Sequence, residues 1–238
     1  TVKVVQSSSN LGFGKANNIG LRYFFKSTSQ YVLLLNQDAY IFPTTIAALI
    51  DAHKRNYDYG IFSPLEYCNT GELDIKFERF YAPKELLANM HTTGQNLFQT
   101  EFVNAACWLI PKKIIQIIGG FDPIFSHYGE DVDYCKRVRS KQFKIGIVKN
   151  SKYVHDRPQA LIKDSPIQKK ISDLHVSQLL FLRWSNLSLS KRLIIILKQN
   201  LKNALFTAPG YKKQILKHSL FLGKNFNKIL NQEVFKAL

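Results

Sequence analysis

The stretch Y-V-L-L-L-N-Q-D-A, Tyr31 to Ala39, decides how the chain is read. Tyr31 to Leu35 is a continuous apolar run too short for a helix and without polar alternation. It predicts a central strand buried on both faces, as in a sheet covered by helices on each side. Asn36, Gln37 and Asp38 follow at once. Asp38 therefore sits at the carboxyl end of that strand, where open α/β sheets take their ligands. A carboxylate there is a hard oxygen ligand suited to Mg²⁺ or Mn²⁺, ions commonly shared with substrate phosphates. The competing reading is an Asx turn or a cap for the helix that follows Pro43.

Working outward, strand and helix patterns alternate. Lys3 to Val5 is a short β-rich piece, Asn17 to Phe25 a helix, and Pro43 opens a helix to about His53. Gly60 to Ser63 reads as a strand, and Phe102 to Ile110 contains a further apolar stretch. Pro111 starts a helix to Ile118, ended by Gly119-Gly120. Glu130 to Ser140 is a helix and Lys144 to Val148 a strand. This alternation predicts an α/β fold with a mostly parallel, Rossmann-like sheet flanked by helices.

Two further stations carry chemistry. Asn10-Leu11-Gly12-Phe13-Gly14 precedes Ala16-Asn17-Asn18-Ile19-Gly20, a glycine-rich loop running into a helix. Such a loop can bring backbone N–H groups to a phosphate, although its spacing is not the dinucleotide fingerprint. Gly119-Gly120-Phe121-Asp122 leads to Gly129-Glu130-Asp131-Val132-Asp133, placing three carboxylates within four residues. Their repulsion is costly unless a cation or a reaction uses them. A helix N-terminus accepts acids through its dipole, and a carboxylate held there can also act as general base toward a hydroxyl. His155, beside Asp156, closes a strand-like V-H-D. No nucleophile elbow, Walker loop or paired CxxC is present.

Composition bounds the class. The 238 residues carry 33 Lys or Arg against 17 Asp or Glu, a net charge of +16, which calls for an anionic partner. Three cysteines do not make a secreted disulfide scaffold and suit a reducing compartment. No apolar run approaches the roughly 18 residues of a membrane-spanning helix. The chain begins at Thr1 and its single methionine is Met90, so it reads as a fragment, a processed chain or a trimmed one. Charge is uneven: residues 186–238 hold 10 basic side chains and 1 acidic. Within 187–206, Leu193, Leu197, Leu201 and Ala204 share one helical face, with Lys191, Lys198 and Lys202 on another. Pro209-Gly210 is expected to break that helix. A second, about Lys212 to Leu230, groups Ile215, Leu222, Phe226 and Ile229 opposite Lys213, Lys217, Lys224 and Lys228. Two basic amphipathic helices read as binders of an anionic membrane surface. No nucleic-acid motif or stacking aromatics stand between the lysines, so nucleic acid is not expected as a partner.

The four stations in this order resemble the family 2 glycosyltransferases of the GT-A fold, with the nearest look to rhamnosyltransferase-like bacterial members. The matching pieces are Asn10 to Gly20, Tyr31 to Ala39, Gly119 to Arg137 and Val154 to Asp156. The resemblance covers about residues 1–185 as a transferase domain, leaving 186–238 as a basic helical extension. It implies inverting transfer of a sugar from a nucleotide-diphosphate donor to a saccharide or lipid-linked acceptor, in cell-surface polysaccharide or lipopolysaccharide synthesis at the cytoplasmic face of the membrane. It assigns Asp131 as catalytic base with Glu130 beside it near the acceptor. It gives Asn10, Gly12, Asn17, Gly20, Asn36 and Asp38 to the nucleotide sugar, and Asp38 with His155 to a divalent metal, Mn²⁺ or Mg²⁺. Asn36 stands where the family pattern has the first Asp of its D-x-D motif. Relative to that pattern, forty to fifty residues are expected to be missing before Asn10. Two rival readings are a non-catalytic transferase body serving as a membrane-surface or anion-binding module, and a nucleotidyltransferase.

Overall fold

The computed structural model describes residues 2–126, 128–156, 166–205 and 209–231. His127 of the Gly119 to Arg137 motif, Phe206 at the end of the first basic helix, and residues 232–238 of the basic end lie outside them. The body contains α1 (Phe13–Phe25), β1 (Tyr31–Leu35), β2 (Ala39–Ile41), α2 (Thr45–Arg55), β3 (Tyr59–Tyr67), α3 (Ile75–Phe80), α4 (Lys84–Ala88), β4 (Leu97–Thr100), β5 (Cys107–Pro111), α5 (Lys112–Ile118), α6 (Glu130–Ser140) and β6 (Lys144–His155). Four helices follow: α7 (Pro166–Trp184), α8 (Leu189–Leu205), α9 (Pro209–Lys224) and α10 (Phe226–Leu230).

The α/β architecture agrees with the sequence, but the sheet is mixed rather than mostly parallel. Its order is β1-β5-β3-β6-β2, with β4 also on β6. Among the described pairs only β3 with β6 is parallel. β5 runs antiparallel to both β1 and β3, and β2 and β4 run antiparallel to β6. A run such as Cys107–Pro111, buried at every residue, carries no mark of its direction, because strands covered on both faces look alike in either orientation. β1 is a terminal strand of the described sheet, not a central one. Leu34 is its one buried residue and Leu35 is exposed. Lys3 to Val5 forms no strand, and Val2 and Val4 lie open to solvent.

The main core lies between the sheet and helices α1, α5 and α6, around Trp108, Phe121, Tyr134, Ile61 and Ile147. The long β6 aligns two regions. Its first half pairs with β4, and its end, Tyr153 to His155, pairs with β2. That end delivers His155 to the segment following β1.

The last helices have their own core of Leu179, Leu182, Ile196, Leu222 and Ile229, joined to the body at Phe125. α7 contributes to this core, although it precedes residue 186. α8 and α9 are separate helices, as the Pro209-Gly210 pair predicts, but Pro209 itself opens α9, three residues before the expected start at Lys212. This fits proline's fixed φ and missing N–H at a first-turn position. The buried positions of α8 also differ from the leucine face grouped in the sequence. In α8 it is Ile196 and Asn200 that are buried, while Leu197 and Leu201 point outward. In α9 and α10, Ile215, Leu222 and Ile229 are buried as the pattern predicts.

Candidate active site

The site is assembled where β1 ends. The Asn36 N–H donates to the Ala106 carbonyl at 2.9 Å, fixing the strand's exit, and Ala39 N–H donates back to the Asn36 carbonyl at 3.1 Å, closing a tight turn. β2 then pairs with β6 so that Ala39 lies opposite His155, and Asp156 N–H donates to the Asp38 carbonyl at 2.8 Å. These backbone bonds bring two sequence-distant side chains together. His155 Nε2 is 3.3 Å from Asp38 Oδ1 and 3.5 Å from Asn36 Nδ2.

Behind the imidazole stands a residue that the sequence reading missed. Glu66, on β3, is wholly buried, and its Oε1 lies 2.7 Å from His155 Nδ1. Asn104 Nδ2 donates to the other carboxylate oxygen at 2.9 Å. The signal was present: Glu66 is the single charge in the run G-I-F-S-P-L-E-Y, and carboxylates are seldom fully buried without a task. Glu66 at Nδ1 orients the imidazole so that Nε2 faces Asp38. With the ring proton on Nδ1, Nε2 and the Asp38 carboxylate would form a donor pair able to hold a cation. The carboxylate–imidazole–metal relay uses the same outer carboxylate to orient a ligating histidine. An oxygen and a nitrogen donor suit Mn²⁺ or Mg²⁺ when phosphate oxygens complete the shell. Among the described residues no set of three or more His, Cys, Asp or Glu side chains forms a metal site alone.

Two clefts meet at this point. The larger, about 870 Å³, is lined by Asn10, Gly12, Asn17, Gly20, Asn36 and Asp38 among others. All six residues expected at the nucleotide sugar thus line one cleft. Asn10 Oδ1 accepts the Gly12 N–H at 2.9 Å, and Gly12 has φ 75°, the left-handed region that glycine tolerates best. Its conformation starts α1. The paired asparagines divide their work: Asn17 lines the cleft, while buried Asn18 bonds the Phe121 N–H and carbonyl, each at 2.8 Å, tying α1 to the glycine-rich turn before α6.

The smaller cleft, about 480 Å³, contains Asn36, His155, Glu130 and Asp131, with Lys76, Tyr81, Asn104 and Tyr128 on its walls. It receives its acids from the first turn of α6. Gly129, at φ 87°, begins that helix; a Cβ there would meet Val176 Cγ1 at 2.6 Å, so no other residue fits without displacement. The three carboxylates separate. Asp133 turns inward to Arg137, Arg183 and the Trp184 indole N–H. Asp131 faces the cleft, its Oδ1 accepting the Val132 N–H at 2.8 Å, and burial holds its carboxyl above the usual range. Glu130 is also raised, first by burial and also by the Asp131 charge, and its Oε2 has no hydrogen-bond partner among the described residues. A partly desolvated carboxylate is a stronger base than one in water.

Comparison with known proteins bears on the family and the fold. Residues 1–118 match the family model described as glycosyl transferase family 2. The chain is 25% identical over 162 residues to the low-salt glycan biosynthesis hexosyltransferase Agl10 of Haloferax volcanii, covering 66% of this chain and 52% of that protein. It is 24% identical over 161 residues to the dTDP-rhamnosyl transferase RfbF of Shigella flexneri, covering 65% and 52%. The chain therefore spans about half the length of these curated relatives. The crystal structure of GalNAc-T7 with UDP, GalNAc and Mn²⁺ superposes with a TM-score of 0.57 at 14% identity, over 96% of this chain and 47% of that one. At that identity the likeness shows the GT-A fold.

Proposed function

Because the chain belongs to glycosyltransferase family 2, we propose that it moves a hexosyl or rhamnosyl group from a nucleotide-diphosphate sugar to an acceptor hydroxyl, with inversion, in the synthesis of a surface glycan. The observation that carries this reading is the meeting of the two clefts at Asn36 and Phe13, with Asp38 on one side and His155 and Asp131 on the other. Inverting displacement needs a base on the acceptor side and charge neutralisation on the leaving diphosphate. Asp131 would take the acceptor's proton. Asp38 and His155 would hold the divalent ion, which when bound neutralises charge on the diphosphate. Asn10, Gly12, Asn17 and Gly20 line the side that receives the nucleotide. Glu66 keeps the imidazole oriented, and Asn104 keeps Glu66 in place. The acceptor is a saccharide or a lipid-linked saccharide at the cytoplasmic membrane face, where an inverting transferase of surface glycans meets its substrate. No described helix is long and apolar enough to cross a membrane.

The test is calorimetric titration of Mn²⁺ with UDP, and separately with dTDP, into the full chain, with Asp38→Ala as control. Metal-dependent binding of either nucleotide that weakens at least tenfold in Asp38→Ala supports the donor site. Binding that ignores the metal or the substitution would overturn the assignment of Asp38. Absence of binding to both would favour the non-catalytic module.

A further inference from the structure

We propose that the outer face of α8, together with the adjoining rim of α9, docks on an anionic lipid surface. The helices carrying it do not use their whole apolar content for packing. In α8 the inward side is Ile196 and Asn200. Ile194, Leu197, Leu201 and Leu205 remain exposed, the last three at 64%, 62% and 63%. At 100° per residue these four occupy an arc of about 80°. Lys191, Lys198 and Lys202, all exposed, fill the next about 40°. Such an arrangement is a stripe with a basic border, not scattered surface leucines.

α9 extends the stripe. Asn200 Nδ2 donates to Ser219 Oγ at 3.0 Å, which identifies the sides on which α8 and α9 meet. Leu197 follows Asn200 around α8 toward the outside. On α9, Leu216 and Leu220 follow Ser219 in the same outward sense and are exposed at 62% and 56%. Beyond them come Lys213, Lys217 and Lys224, also exposed. The apolar band is therefore bordered by lysines on both helices.

The charge decides the occupant. Residues 189–224 hold eight Lys or Arg and no Asp or Glu. A second copy placed on this face would set lysine rows against lysine rows, an arrangement that like-charge repulsion penalises. An anionic bilayer supplies apolar depth for the leucines and phosphate-rich headgroups for both borders. This docking stands apart from sugar transfer: it needs neither donor nor acceptor, and it fails or holds whatever the cleft does.

The test is co-sedimentation of the full chain with phosphatidylcholine vesicles, with and without phosphatidylglycerol. Variants are Leu197→Gln with Leu201→Gln, and separately Lys191→Gln with Lys198→Gln and Lys202→Gln. All five side chains are exposed, so unchanged circular dichroism confirms that each variant folds. Binding is expected to the phosphatidylglycerol vesicles. It should weaken on the order of a hundredfold in the double leucine variant and about fivefold per lysine removed. Three results would overturn the proposal: no binding by the parent chain, binding that the leucine pair leaves unchanged, or a lipid-free dimer that the same pair abolishes.

Discussion

Asp131 and Asp133 lie two residues apart on the first turn of α6, yet their surroundings are opposite. Asp133 is fully buried and meets Arg137 at 2.8 Å, Arg183 at 2.9 Å and the Trp184 indole at 3.0 Å. Asp131 borders a cleft, is raised by burial, and has no ion pair among the described residues. Its neighbour Glu130 keeps an oxygen without a partner among the described residues. A helix turn that satisfies one acid completely and leaves two under-solvated separates architecture from chemistry. Buried polar groups are normally paired, and those left short are candidates for a task.

The sharpest way to break this comparison is Asp131→Asn. Loss of a general base costs about 10²–10⁴-fold in turnover, so transfer to the acceptor should fall by that order while nucleotide binding with Mn²⁺ is kept. Stability should move the other way. A carboxyl whose folded-state value is raised favours its protonated form in the fold, so stability is lost as pH rises through that raised value. The neutral amide escapes this loss, and melting near neutral pH should shift upward relative to the parent. Near-normal turnover in Asp131→Asn would remove Asp131 from the base role. The raised value also predicts that the acid limb of the pH–rate profile lies above the usual carboxylate range near 3.9.

The next largest effect belongs to the satisfied side. Arg183 joins the helical unit to the body: it bonds Asp133 and Asp122, and donates to the Ile229 carbonyl at 2.8 Å. Removing one partner of a buried pair strands the other, at about 3–5 kcal/mol. Arg183→Ala should therefore lower the thermal midpoint by many degrees while leaving nucleotide affinity unchanged below the transition. Equal loss of affinity in Arg183→Ala and Asp131→Asn would erase the division between the two acids.

How much of this the sequence disclosed follows the same division. β1 and α6 have the bounds that their patterns predict, because a five-residue apolar run and an acid-to-base helix are local signals. The six residues expected at the nucleotide line one cleft for a related reason: they lie on two short segments that β1 and α1 hold side by side. What was not legible depends on tertiary placement. The direction of β5 is not written in Cys107–Pro111. Asp133 reads like Asp131 until Arg183 arrives from fifty residues away. Glu66 was visible as a lone charge in an apolar strand, but only the register of β6 shows that it supports His155. On α8, apolar residues occur on both sides, so periodicity could not choose between Leu197 and Ile196 as the packed position. Burial against α7 and α9 makes that choice.

The smallest expected effect tests whether a polar group can be buried, satisfied and still sensitive to pH. In the helical unit, Gln178 Nε2 donates to Asn200 Oδ1 at 2.8 Å, leaving its Oε1 to accept from His218 Nε2, also at 2.8 Å. His218 Nδ1 must then accept from His175 Nδ1, 3.0 Å away. His218 is consequently neutral with its proton on Nε2, and protonating it would set two N–H groups against each other. Burial, reinforced by His175, lowers His218 to about 4, and burial lowers His175 as well. An unfolded histidine takes its proton near 6.5. Between about 6.5 and 4 the unfolded chain binds protons that the folded bundle refuses, so stability is intact above that window and drains away as pH falls through it. Melting curves from pH 7 to pH 4.5 should show a falling midpoint. His218→Gln keeps a donor for Gln178 but does not titrate, and should flatten that slope. A slope unchanged by His218→Gln would place the acid sensitivity elsewhere and show that the buried imidazole pair does not govern the stability of the bundle.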